Sequence, residues 1–281
     1  MIDQMNYSLL KSHFPYIFLL IAAAFSMFIF EGCADEKGDN AEPQKKQKKD
    51  SLIQKPAEKK IAGDLPDFSV YEDSKEKKKA FFDFLRPIVK YENSKVMDER
   101  EDILDKYQQA KSPDSLSSKD KSKLLSLAMK YRVKSKVKFD ENFFRKLLIK
   151  ADKIPVELAL VQAANESAWG TSYFARKGNN LFGQWCFKPD CGIVPRQRSE
   201  GSTHEVAKFE TVNEAVATYI RNLNSHPVYE PLRLNRYQAR LNDEKPAGYD
   251  MAIGLQKYSA KGMEYVEIIR SMIDKNKEYI Y

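Results

Sequence analysis

Histidine and cysteine are scarce in this sequence, three of each in 281 residues. His13, His204 and His226 form no ligand cluster with the cysteines, so the spacing of a metal site is missing. No nucleic-acid-binding motif accompanies the formal net charge of +7. Its lysines and arginines are spread out, many of them in a lysine-rich stretch near the N-terminus. That distribution argues against a nucleic-acid partner and suits an anionic surface such as a membrane or a cell-wall polymer. Internal repeats are absent. Long apolar runs are also few: Tyr16–Phe30 falls short of the roughly 20 residues a transmembrane helix needs and has the length of a secretory signal's apolar region.

Directly after that run comes Phe30-Glu31-Gly32-Cys33. It is similar to the end of a bacterial lipoprotein signal, where a small residue precedes a lipidated cysteine, but Glu31 departs from the pattern. The alternative is an uncleaved signal anchor with an incidental cysteine. Either arrangement exports the rest of the chain to the cell envelope or periplasm, attached to a membrane at its N-terminus. Cys186 and Cys191 bracket only Phe-Lys-Pro-Asp, and in an oxidising compartment they are expected to close a local disulfide rather than bind metal.

The chain divides into residues 1–33, a signal or lipoprotein segment, residues 34–73, a charged linker, and a folded domain over 74–281. The linker is rich in Lys, Glu, Asp, Gln and Pro and buries too little apolar surface to offset the entropy of ordering. Within the domain, an apolar stripe over Ala80–Tyr91 predicts a helix kinked or broken at Pro87. Further helices are predicted over Val96–Lys111, Ser118–Tyr131 and Glu141–Ala151, with Ser115 or Ser117 and then Asp140 as caps. Val212–Ser225, Tyr229–Leu241 and Tyr265–Lys275 follow later, with a looser connection from Gly248 to Gly262. Ile193–Arg198 and Thr203–Phe209 read as a small β-hairpin. The fold class is therefore α+β, mainly helical with one small hairpin.

Pro155 opens the most informative helix. Val156, Leu158, Ala159, Leu160, Val161, Ala163 and Ala164 cover nearly every face, as in a buried helix. Glu157 lies in the first turn, where it complements the helix dipole. Glu166 follows about 180° around at 100° per residue, so the two acids form no catalytic pair. Apolar surroundings oppose ionisation of a carboxyl group, which can then hand a proton to a leaving oxygen. Glu166, bracketed by Ala163, Ala164, Ala168 and Trp169, is the candidate. The competing reading is a helix-terminal glutamate turned to solvent.

Gln162-Ala-Ala-Asn-Glu-Ser-Ala-Trp-Gly170 followed by Asn179-Asn-Leu-Phe-Gly183 resembles the N-acetylglucosaminidase family of peptidoglycan hydrolases, glycoside hydrolase family 73. Cys186…Cys191-Gly-Ile-Val-Pro195, Phe209, Tyr219-Ile-Arg-Asn-Leu-Asn-Ser-His226 and Tyr258-Ser-Ala-Lys-Gly262…Tyr265-Val resemble its bacterial Bax-like branch. The resemblance runs from about Lys123 to the C-terminus. It implies a lysozyme-like fold, peptidoglycan glycan strands as partner, no cofactor, and Glu166 as general acid. It also implies that Trp169, Asn180, Phe182 and Tyr258 line or shape the sugar cleft, although Phe182 and Tyr258 equally suit the core.

One departure stands out. Many relatives carry a second glutamate on the first hairpin strand, whereas Ile193-Val-Pro-Arg-Gln-Arg198 contains no acid. Glu200 in the turn and Glu205 on the second strand are the nearest substitutes, and exposed hairpin charges are the alternative for both. Without a partner acid, the substrate's 2-acetamido group can serve as nucleophile. A lytic transglycosylase working with one acid, or a non-catalytic wall-binding lipoprotein, are the other expectations left open.

Overall fold

The computed structural model describes residues 64–111, 115–134, 138–195, 201 and 203–281. Cys33, Glu200 and the expectations for the signal segment fall outside them. No helix among the described residues is long and apolar enough to cross a membrane.

Order begins ahead of the linker boundary expected at residue 73. A 3-10 turn over Phe68–Val70 places Phe68 in the core, edge-on to Phe81 at 5.3 Å. One aromatic side chain, fully buried, stabilises by about 2 kcal/mol or more, which fixes a segment whose charged composition argues for flexibility.

The first helix, α1 (Ser74–Gln109), is capped by Asp73, whose carboxylate accepts from the N–H groups of Lys75 and Glu76. It runs unbroken through Pro87, against the expected break and against a separate helix from Val96. Phe81, Phe82 and Leu85 before the proline and Ile88, Val89 and Val96 after it enter one core. Their burial, at roughly 1.5–3 kcal/mol each, outweighs the roughly 3 kcal/mol that an interior proline costs.

Helices α2 (Ser118–Lys130) and α3 (Glu141–Lys150) start where expected, on Ser117 and Asp140, each accepting from an N–H three residues on. With the distal half of α1 they enclose a second apolar cluster around Leu124, Tyr131, Phe144 and Leu147. The central helix, α4 (Val156–Ser167), is buried on nearly all sides and packs against α1. After it come the short α5 (Tyr173–Gly178) and a three-stranded antiparallel sheet of β1 (Trp185–Cys186), β2 (Gly192–Ile193) and β3 (Glu205–Ala207), in the order β1-β3-β2. Val206 pairs with Trp185 on one side and Ile193 on the other. β3 falls within the predicted Thr203–Phe209 strand. β2 shares only Ile193 with the predicted Ile193–Arg198, whose last three residues lie outside the described residues, and β1 is an addition too short to show alternation.

Helices α6 (Val212–Ser225) and α7 (Glu230–Leu241) return, followed by α8 (Gly248–Met251), a 3-10 turn over Ala252–Leu255, α9 (Met263–Lys275) and α10 (Lys277–Ile280). The Gly248–Gly262 connection is thus partly helical. α9 lies against α4, and α1 against α6. The result is the expected mainly helical α+β lysozyme-like architecture.

A buried polar joint links the two apolar clusters. Asp152 carries Arg240 at 3.1 Å and Arg236 at 3.8 Å, while Arg100 donates to the carbonyls of Leu148 and Ala151 at the end of α3. Burial opposes ionisation of Asp152, but Arg100, Arg236 and Arg240 together outweigh it and hold its carboxyl down at about 2.

Candidate active site

Glu166 occupies the last turn of α4. Immediately beyond it, Ala168, Trp169 and Gly170 all adopt positive φ. The hydroxyl of Ser167 locks this turn, donating to the carbonyl of Ala163 and accepting from the N–H of Gly170. A side chain at position 170 has no room, since a Cβ there would come 2.6 Å from Phe68. Two non-glycine residues held in the left-handed region are backbone strain of the kind that gathers at functional sites.

The two oxygens of Glu166 have different surroundings. Oε1 accepts from the phenol of Tyr265 at 2.7 Å and from Asn165 at 3.1 Å. Oε2 takes no hydrogen bond among the described residues and lies against Gly183, whose φ is +62 and where a Cβ would sit 3.2 Å away. Behind Oε1 runs a relay. The phenol of Tyr265 accepts from Nε2 of Gln162, and Oε1 of Gln162 accepts from the phenol of Tyr219. Gln162 and Glu166 are four residues apart, on one face of the helix. Gln162, Tyr219 and Tyr265 are all buried.

Four tyrosines crowd this end of the helix. Burial raises the phenols of Tyr219, Tyr229, Tyr258 and Tyr265, and the charge of Glu166 adds to each; Tyr229 is pushed up to about 12. They remain protonated donors across the range in which a glycosidase works.

The residues expected to line the cleft divide. Tyr258 is partly buried, stacked on Tyr265 at 5.5 Å, with its phenol donating to the carbonyl of Phe182. Phe182 itself is a core residue, fully buried and stacked on Tyr219 at 4.0 Å. Asn180 is buried too, and its amide is fully engaged. Nδ2 donates to the carbonyls of Gln184 and Ala207, and Oδ1 accepts from the N–H groups of Phe182 and Gln184. An amide with four backbone partners shapes the loop and has nothing left for a sugar. Trp169 is partly buried beneath Lys78 and against Phe81 and Phe82, at 5.8 and 5.2 Å, so it anchors the strained turn to α1.

Glu205 is placed away from catalytic duty. Its carboxylate accepts from the N–H groups of Asp190 and Gly192 at 3.2 and 2.8 Å and is buried beside the Cys186–Cys191 disulfide. The cross-strand pairing of Cys186 with Glu205 turns that side chain toward the disulfide loop. Its ligand atom lies within 4.8 Å of the two sulfurs, but the bonded cysteines hold no thiolate for a metal.

Gln162, Tyr219, Tyr265 and Gly183 carry the site's geometry without a role assigned from sequence. The four-residue spacing of Gln162 and Glu166 was the available signal. Tyr265, 99 positions beyond Glu166, belongs to the resemblance motif Tyr258…Tyr265-Val, which gave it no role. A cavity of about 810 Å³ lies toward the other end of α4, lined by Asn93, Pro155, Glu157, Lys245 and Tyr281 among others. Glu166 is not part of it, and the chemistry rather than the volume locates the site.

Comparison with known proteins shows the family. The profile of the glucosaminidase family, described as mannosyl-glycoprotein endo-beta-N-acetylglucosaminidase, matches residues 141–278. The chain is 33% identical over 216 residues to "Protein bax" of Escherichia coli (strain K12), covering 77% of this chain and 76% of that protein. No solved structure gives a significant match. With its acid-bearing helix, its Asn-Leu-Phe-Gly loop and these matches together, the chain belongs to the glucosaminidase family, in its Bax-like branch.

Proposed function

We propose that this protein is an exported peptidoglycan hydrolase that cleaves the β-1,4 bond following N-acetylglucosamine, with Glu166 as the proton donor. The asymmetry of Glu166 carries this reading: Oε1 is held by Tyr265 while Oε2 faces the loop at Gly183. A carboxylic acid works best with one oxygen fixed and the other aimed at the departing glycosidic oxygen. The family's printed description supports the choice of an N-acetylglucosaminide bond. The apolar run Tyr16–Phe30 and Cys33 support export and a membrane attachment through a lipid.

Retaining and inverting glycosidases place a second carboxylate about 5–9.5 Å from the first. The stretch Ile193–Arg198 contains no acid, and Glu205 is committed to backbone amides. This favours the substrate's own 2-acetamido oxygen as the nucleophile, with water then opening the cyclised intermediate. The same single acid suits a lytic transglycosylase. The products separate the two, since a glucosaminidase leaves reducing N-acetylglucosamine and a transglycosylase leaves anhydro-muramyl ends.

The test is digestion of purified sacculi by the parent and by Glu166→Gln, with mass spectrometry of the released fragments. The parent should release fragments ending in N-acetylglucosamine, and the variant at least 100-fold fewer. Equal release by both overturns the assignment of Glu166. Sacculi that bind the parent without releasing fragments make the protein a wall-binding lipoprotein instead.

A further inference from the structure

Trp185 is the largest side chain on the small sheet, and it is 58% exposed. Its indole stacks on the imidazole of His204, with ring centroids 4.2 Å apart and planes at 14°. A near-parallel stack covers one face of the indole and leaves the other to solvent. Phe187, which follows β1 directly, is also exposed, at 72%. Cys186 between them packs instead against Ala207, Phe209 and Ala215.

The location is tied to Glu166. Gly183, which touches Oε2 of the acid, precedes Trp185 by two residues, so the two Cα atoms are at most about 7 Å apart. The intervening Gln184 is fixed at its N–H and carbonyl by Asn180 and at its side chain by the carbonyl of Ala215. Trp185 pairs with Val206 in the ladder, and the following loop is closed by the disulfide and by Glu205. The indole is therefore held in place before any ligand arrives, and a preorganised contact loses little entropy on binding.

We propose that Trp185, backed by His204, is a stacking platform for one pyranose ring of the glycan strand, next to the bond protonated by Glu166. A β-linked pyranose presents axial C–H groups on its ring faces, which are attracted to the negative face of an indole. A flat platform with one ring face stacked, two residues from the glycine that touches the acid, suits a sugar better than it suits a lipid surface. The proposal rests on the hydrolase reading above and adds a substrate contact to it.

The experiment uses the full chain carrying Glu166→Gln, so that ligand is bound and not cleaved. Affinity for soluble, peptide-free glycan chains of alternating N-acetylglucosamine and N-acetylmuramic acid is measured by calorimetry. Adding Trp185→Ala should weaken binding about tenfold with the melting temperature unchanged, and Trp185→Tyr should restore most of it, because stacking on an aromatic face is the feature lost. Equal affinity in the Ala variant overturns the platform and leaves the hydrolase reading intact. If no variant binds glycan and the parent releases nothing from sacculi, both readings fall together. If Trp185→Ala instead loses binding to anionic phospholipid vesicles while glycan binding is unchanged, the patch is a membrane contact and the proposal is overturned.

Discussion

The phenol of Tyr265 donates to Oε1 of Glu166 across 2.7 Å, joining the start of α9 to the last turn of α4. That bond holds Oε1 and leaves Oε2 facing Gly183. A Tyr265→Phe variant keeps the stack on Tyr258 and loses this donor, and it also deprives buried Nε2 of Gln162 of its acceptor. Hydrogen bonds to charged groups contribute about 1.5–3 kcal/mol, so activity on sacculi should fall about 10- to 100-fold. Unchanged turnover by the Phe variant would remove Tyr265 from the positioning of the acid.

Gly183 tests the approach of the loop to the acid. Alanine there meets both a positive φ and a Cβ contact of 3.2 Å with Oε2. Gly183→Ala should destabilise by about 1 kcal/mol and reduce activity much more than that loss explains. Melting and turnover measured on one preparation separate the two effects. An active variant would show that the loop stands clear of the acid during reaction.

Asn180 is expected to act without touching substrate. Removing its amide takes that partner from the carbonyl of Ala207 and the N–H groups of Phe182 and Gln184, while the carbonyl of Gln184 keeps the N–H of Ala207. Asn180→Ala should cost roughly 2–4 kcal/mol in chemical denaturation, since each buried group left unsatisfied costs about 1–3 kcal/mol before relaxation. A variant of parental stability with weakened glycan affinity would return Asn180 to the cleft.

Acid sensitivity should be traceable to Asp152. Its folded carboxyl lies at about 2 against an ordinary 3.8, so the folded state favours the anion. Stability from this group is fully present above pH 4 and is lost as pH falls through 2, about 2 kcal/mol in all. Asp152→Asn should lower stability by about 3–5 kcal/mol at neutral pH, because Arg236 and Arg240 are left buried without their counter-charge. It should also flatten the pH dependence below 4. A retained acid transition in the Asn variant would place that loss elsewhere.

The helices were legible because their signals are local. Caps at Ser117 and Asp140 and the all-apolar face of Val156–Ala164 act within a few residues, and the helices start accordingly. Glu166 was legible from its own motif. The two departures at the front of the domain share one cause: burial of Phe68 and of the residues flanking Pro87 overrode local preferences for coil and for a break.

The roles of the other site residues depended on long-range packing. Phe182 and Asn180 sit in the recognised loop, yet Tyr219 and β3 draw them inward and engage them fully. Glu205 was a candidate partner until the disulfide loop's amides were found to occupy it. The sequence by itself determined the mainly helical α+β class, the family, and one acid at the end of a buried helix, since periodicity, caps and a contiguous motif are read within one stretch of chain. Only the tertiary structure decided which oxygen of that acid is held, which tyrosines surround it, and that the indole of Trp185 is left exposed on the small sheet. Those follow from contacts between segments up to 103 residues apart, set by how apolar faces share a common core.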